Sequence, residues 1–207
     1  CQLNPEIGSE EEFEQLAKTL HESRMGFLLD IVPNHMSIAS SENKWWQDVL
    51  ENGPSSLYAH YFNVIWDPPK PELKNKVLLA VLDQQYGKVI ENQELKIVFE
   101  DGAFFVEYHD RRFPVNPITW PAILNPVVEE LTVKLGEKDS HLLELQSIIT
   151  ALDHLPVTTE EDLEKSKVRA REKEIIKKRL AALTETSTII HESIEHSMLQ
   201  LNGQKGD

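Results

Sequence analysis

The stretch that most limits what this chain can become is Phe27-Leu28-Leu29-Asp30-Ile31-Val32-Pro33-Asn34-His35. Its apolar run has the length and hydrophobicity of a strand buried on both faces, as in a parallel sheet. Asp30 interrupts the run, and a carboxylate inside such a strand needs partners, because an unpaired buried charge is very costly. Pro33 has no N–H to give to a ladder, so pairing should stop there. Asn34 and His35 then fall at the strand's carboxyl end, where barrels and open α/β sheets bind their ligands. An aspartate there can orient a neighbouring cation, an asparagine oxygen can take a hard metal ion or brace a loop, and a neutral imidazole can donate to a hydroxyl. Any one of the three alone reads as the satisfied end of a buried strand. Three polar groups within six residues read as one wall of a site.

The residues before this run fit a βαβ unit. Leu3 to Gly8 is a loop by its Asn-Pro and Gly punctuation. Ser9 and Glu12 match a capping box, and Phe13, Leu16, Ala17 and Leu20 follow at helical spacing to about Arg24, with Gly26 as the stop. A helix running tightly into a buried strand is half of that unit. One strand makes no sheet, so residues 1–36 are expected to find neighbours outside this chain, or to dimerise or swap through an open edge.

Downstream, Lys44 to Asn52 reads as a short helix carrying Trp45 and Trp46, ended by Gly53-Pro54. Neighbouring helix positions point about 100° apart. One indole should therefore be core, and the other is either core as well, the readier reading, or a platform. Leu57 to Asp67 is rich in aromatics, and Pro68 to Pro71 is stiff and extended. Lys76 to Leu82 is expected to be a strand. Leu95, Ile97 and Phe99 alternate up to Glu100-Asp101-Gly102, and Phe104, Val106 and Tyr108 alternate on the way back, which is a hairpin. Pro114, Pro117 and Pro121 keep the next stretch irregular, and beyond it the chain is helical. Helices are expected over about Asp139–Leu155, from a capping box at Thr158 to about Leu183, and over about Ser187–Leu201, with Asn202-Gly203 as the last stop. Glu161–Lys165 and Glu174–Lys178 are i,i+4 pairs, and the charged run from Glu160 to Arg179 reads as a solvated helix face. His109, His141, His154, His191 and His196 read as scattered surface residues.

Charge narrows the partners. A net charge of −14 argues against nucleic acid and anionic membranes, and suits a neutral or cationic ligand. The single cysteine, Cys1, allows neither an intrachain disulfide nor a cysteine-rich zinc site. No apolar run approaches the roughly 20 residues that cross a bilayer. The chain starts on Cys and closes on Asn202-Gly203-Gln204-Lys205-Gly206-Asp207, a loop, so an internal piece of a longer protein is expected.

Asp30-Ile31-Val32-Pro33-Asn34-His35 resembles the first conserved motif of the α-amylase superfamily, glycoside hydrolase family 13. Leu3 to Gly8, Trp45-Trp46-Gln47-Asp48-Val49-Leu50-Glu51-Asn52-Gly53-Pro54-Ser55-Ser56, Lys76 to Leu82 and Arg112-Phe113-Pro114 narrow the resemblance to its maltooligosyltrehalose synthase branch. Asn63, Ile65, Ala80 and Asp83-Gln84-Gln85 depart from that branch's pattern. The resemblance implies an α/β chain: a fragment of a (β/α)8 barrel around strand 3 (residues 1–37), then an inserted α+β subdomain with a small antiparallel sheet (38–124), then the helical part of the insertion (125–207). It implies an intramolecular transglucosylase in the cytoplasm that turns the reducing-end α-1,4 bond of a maltooligosaccharide into α,α-1,1. Such chemistry uses a nucleophile and an acid about 5–5.5 Å apart. The family's Arg-x-Asp nucleophile motif is not found here, since Asp110-Arg111-Arg112 has the wrong order, so no catalytic residue is expected in this segment. His35 and Asn34 would contact substrate or hold the insertion, Trp46 would contact sugar, Asp30 would brace the nucleophile motif's arginine, and no metal or cofactor is implied. The alternatives are another α-amylase-type hydrolase, or a non-catalytic domain whose helical tail binds a protein.

Overall fold

Ser9 opens the first helix in the computed structural model, which describes residues 4–28, 30, 37–38 and 41–203. The Ser9 hydroxyl accepts from the Glu12 amide at 3.3 Å, and the Glu12 carboxylate accepts from the Ser9 amide at 2.8 Å. That reciprocal pair satisfies two N–H groups at the head of α1 (Glu10–Glu22). The helix ends before Gly26. Arg24 takes a left-handed φ of 54°, and the Met25 amide reaches back to the Leu20 carbonyl at 2.8 Å, the closure usually given to glycine. Phe13 meets Phe27 edge-on, with ring centroids 5.6 Å apart. No residue of α1 is buried.

The expected buried strand is absent from the positions that are described. Phe27, Leu28 and Asp30 belong to no strand, and Leu28 is 92% exposed. A strand exists only against a laddered neighbour, and among the described residues the one sheet spans residues 95–114. Leu29 and residues 31–36, with Asn34 and His35, lie outside the described residues. The chain divides into two compact units, Cys1–Ser37 and Ile38–Asp207.

Within Ile38–Asp207, α2 (Lys44–Asn52) starts where the Asn43 side chain accepts from the Trp46 amide, and stops at Gly53. Residues 76–82, expected to be a strand, make no ladder, although 76–81 alternate between exposed and half-buried positions. Val77 and Leu79 face a pocket beside α2 instead of a neighbouring strand. After α3 (Tyr86–Glu91) come β1 (Leu95–Glu100) and β2 (Ala103–Tyr108), whose register sets Phe99 opposite Phe104, Ile97 opposite Val106 and Leu95 opposite Tyr108. Asp101 and Gly102 both take left-handed φ, 49° and 73°, as a two-residue hairpin turn requires. β3 (Arg111–Pro114) adds a third antiparallel strand that the sequence did not announce. It is four residues long and ends on proline, which suits an edge. The other edge is covered: the Asn202 side chain accepts from the Ile97 amide at 2.7 Å and donates to the Ile97 carbonyl at 3.0 Å.

Four helices follow: α4 (Pro121–Leu135), α5 (Ser140–Asp153), α6 (Leu163–Thr186) and α7 (Thr188–Asn202). They close into a ring of neighbours, α4 on α5, α5 on α6, α6 on α7 and α7 on α4, with β1 lying on α7. α6 starts at Asp162 rather than Thr158. The Asp162 carboxylate caps the Glu164 and Lys165 amides, while the Thr158 carbonyl is taken by the Ser55 amide at 2.9 Å. One apolar core joins sheet to bundle. Phe104 meets Trp120 edge-on at 5.3 Å among Leu124, Leu145, Leu180 and Ile194, and the Trp120 indole donates to the Val115 carbonyl. Residue 124, where the sequence suggested a subdomain limit, falls inside α4.

Candidate functional site

Of the three polar residues Asp30, Asn34 and His35, Asp30 alone is described. It is exposed to solvent, so its carboxylate needs no partner there, unlike the buried position expected of it. Asp110 closes the β2–β3 turn, and Arg111 and Arg112 open β3. His109 bends the chain with a φ of 53°, and the Arg112 guanidinium binds Glu107 and Glu100 while lying 4.9 Å over the Phe105 ring.

The two adjacent tryptophans separate as helix geometry demands, and Trp46, the candidate sugar contact, is the buried one. Trp46 is 5% exposed and packs on Phe62 at 5.0 Å, so its faces are covered by protein. Trp45 is the exposed indole, at 44%. It stacks on both Tyr58 and Tyr61, each with centroids 5.3 Å away, at interplanar angles of 9° and 24°. Tyr58 and Tyr61 lie 6.4 Å from each other, which puts them side by side against one face of the indole. The turn that carries Tyr58 is tied to α2: its amide donates to Ser56 Oγ, which donates to Asp48 at 2.6 Å. The result is a rigid, partly open aromatic surface. Such a surface holds apolar faces that carry polar edges, because the flat ring offers area at little entropic cost.

Behind that surface α2 is fastened to α6 by buried charge. Lys173, 4% exposed, donates to Asp48 at 2.7 Å and to Glu51 at 2.6 Å, and Lys177 meets Glu51 at 2.7 Å. Arg169, 1% exposed, reaches Asn52 at 3.0 Å, the Pro156 carbonyl at 2.5 Å and Asn116 at 3.1 Å. Burial pushes against the charge on Lys173, but the carboxylates of Glu51 and Asp48 outweigh it and hold the ammonium above its ordinary pKa. Burial lowers that of Arg169 against the pull of the same carboxylates. The expectation of a solvated face over Glu160–Arg179 is therefore corrected. Ser166, Arg169, Lys173, Ile176, Leu180 and Leu183 form a buried stripe at helical spacing, with Lys173 answering the acids of α2 and Arg169 its Asn52. The signal was present as Asp48 and Glu51 at i,i+3 facing Arg169, Lys173 and Lys177 at i,i+4, but it is legible only once the two helices are known to meet. The expected pairs Glu161–Lys165 and Glu174–Lys178 give way to Glu160–Lys165 and Glu174–Lys177.

Beside this junction lies a pocket of about 330 Å3, walled by Val49, Trp66, Val77, Leu79 and Phe113, with Glu51 as its carboxylate. Asn75, Lys76, Asn116 and Thr158 complete the lining, so the pocket is of mixed polarity. Among the described residues no helix is long and apolar enough to cross a membrane.

Comparison with known proteins places the junction in context. Residues 1–94 match the alpha-amylase catalytic domain family, so the match runs past Ser37 through α2 and α3. Over 66 residues the chain is 38% identical to a putative maltooligosyl trehalose synthase of Mycobacterium tuberculosis, covering 31% of this chain and 9% of that protein. Over 62 residues it is 37% identical to a maltogenic alpha-amylase of Bacillus licheniformis and 39% identical to an intracellular maltogenic amylase of Bacillus subtilis, covering 30% of this chain and 10% of each relative. The aligned segment thus spans about a tenth of the length of these curated relatives. No solved structure matches the chain significantly.

Proposed function

We propose, from the premise that residues 1–94 carry the alpha-amylase catalytic-domain pattern, that this chain is part of a glucan-processing enzyme. The finer reading is an intramolecular transglucosylase that converts the reducing-end α-1,4 bond of a maltooligosaccharide to α,α-1,1. The observation that carries it is the matched segment itself, which includes Asp30 to His35 and extends through the Trp45–Ser56 block. The relatives' names support it, one being a putative maltooligosyl trehalose synthase. In this reading residues 1–37 belong to a (β/α)8 barrel around strand 3, residues 38–124 form an inserted α+β subdomain, and residues 125–207 form its helical part. His35 hydrogen-bonds the glucose at the cleavage subsite, Asn34 holds the insertion, and Asp30 braces the arginine beside the nucleophile. Trp45 takes the sugar-contact role first assigned to Trp46, because its ring is the open one. The catalytic carboxylates come from sequence other than this. A cytoplasmic location belongs to the same reading, supported by a relative named as intracellular.

The second reading, a hydrolase, is favoured by the maltogenic amylase relatives. Maltopentaose separates the two. Incubated with the longer protein that carries this segment, it should lose reducing ends without releasing glucose, and His35→Ala should lower kcat while Trp45→Ala raises KM. A rise in reducing ends would replace transglucosylation with hydrolysis. This chain alone should turn over nothing, and product from it would overturn the assignment of the acids to other sequence.

A further inference from the structure

Three residues far apart in sequence converge at the foot of the sheet. Asp83 precedes α3, Glu94 follows it, and His109 sits in the β2–β3 turn. His109 Nε2 lies 3.9 Å from Asp83 Oδ2 and 3.9 Å from Glu94 Oε2, and the three atoms all fall within 4.8 Å of one another. Each carboxylate is fixed through its other oxygen. The Tyr108 hydroxyl donates to Asp83 Oδ1, and the Asn92 side chain donates to Glu94 Oε1 at 3.0 Å. Hydrogen bonding to Asp83 raises the Tyr108 pKa, with burial adding to it, so the phenol keeps the proton it donates. The atoms left facing inward are one oxygen from each acid and one imidazole nitrogen. Glu94 Oε2 is buried and has no hydrogen-bond partner among the described residues. A desolvated carboxylate oxygen without a donor costs free energy, and a cation is what removes that cost.

We propose that Asp83, Glu94 and His109 form a binding site for a divalent transition-metal cation of the zinc type. One imidazole and two carboxylates are a donor set such ions accept, and two formal negative charges balance the ion. Bonds of about 2.1 Å at tetrahedral angles put ligand atoms roughly 3.4 Å apart, so closure takes shifts of about 1 Å. Asp83 and His109 are exposed enough to make them, with side chains 63% and 54% accessible. The Tyr108 and Asn92 contacts are the kind that orient a ligand through its outer atom. The ion ties the segment before α3 to the β2–β3 turn, which no backbone ladder joins among the described residues. The fourth position is left to water, since protein supplies three donors.

The test is calorimetric titration of Zn2+ into chelator-treated chain at neutral pH, alongside His109→Asn and Glu94→Gln. Asparagine tolerates the left-handed φ of position 109, so the turn survives the change. The expected result is one saturable site per chain and a rise in thermal midpoint with Zn2+. Both variants should lose at least about tenfold in affinity, with unchanged circular dichroism, while His141→Ala binds as the parent does. Binding retained in both variants would assign the ion to Cys1 or the other histidines and overturn the site. So would the absence of saturable binding in the parent chain, which would leave His109 as a side chain lying between two acids and nothing more.

Discussion

Lys173 shows how a single residue can decide where an element sits. It lies in a run of charge that reads as solvent-facing, yet it is held by Asp48 and Glu51. Replacing it with methionine keeps the stem's volume but leaves two carboxylates facing an apolar group. Breaking a buried pair from one side costs about 3–5 kcal/mol. Lys177 still faces Glu51, and Ser56 still donates to Asp48, so Lys173→Met should cost about 3 kcal/mol, the low end of that range. The pH dependence has a definite sign. The folded pKa is raised, so the stabilisation is complete below the unfolded lysine value of about 10.4 and is lost as pH climbs through the folded value. Urea midpoints of wild type and Lys173→Met should differ by a constant amount from neutral pH to about 9, and converge above about 10.4. A gap that closes between pH 7 and 9 would mean the ammonium is not held as described. None of this was readable from the α6 sequence alone, because the buried cation is explained only by acids 122 and 125 residues away.

At the scale of elements, local chemistry was legible and pairing was not. The Ser9–Glu12 box, the bounds of α2 and the β1–β2 hairpin each follow from a few adjacent residues, and each is found. The Phe27 run and residues 76–82 have the composition of strands, but a strand is a relation between two segments, and neither has a partner among the described residues. β3 is the converse: too short and too proline-bound to announce itself, it forms because β2 presents a free edge. A close approach between elements constrains the hairpin tip. A Cβ on Gly102 would come within 2.0 Å of the Lys177 carbonyl and 2.8 Å of the Ala181 amide, both α6 backbone, at a φ of 73°. Gly102→Ala therefore combines left-handed strain with overpacking, about 2–5 kcal/mol together. Its urea midpoint should fall with the slope unchanged, while Asp101→Asn, which tolerates the same backbone region, should shift it little. An alanine variant as stable as the parent would show that the tip does not rest on α6.

For the whole molecule, the question is which parts unfold together. The sequence suggested separate sheet and helical portions of the insertion, because strand and helix periodicities occupy different stretches of chain. Packing is not visible in periodicity. Ala103 and Phe104 of the hairpin share a core with Trp120, Leu124 of α4, Leu145 of α5, Leu180 of α6 and Ile194 of α7. Contacts of that kind couple the elements that make them, so hairpin and bundle should open only in global unfolding. α1 is the opposite case. It has a complete capping box but no buried residue, and at 13 residues it is near the length where an isolated helix is marginal in water. Hydrogen exchange read by mass spectrometry should therefore give one slow class containing β1, β2 and α4 to α7, with α1 exchanging orders of magnitude faster. Gly102→Ala should speed the slow class as a block, with hairpin and α5 peptides shifted equally. If the hairpin exchanged well before α5 in the parent chain, the shared core would be contact without coupling, and residues 38–207 would be two folding units after all.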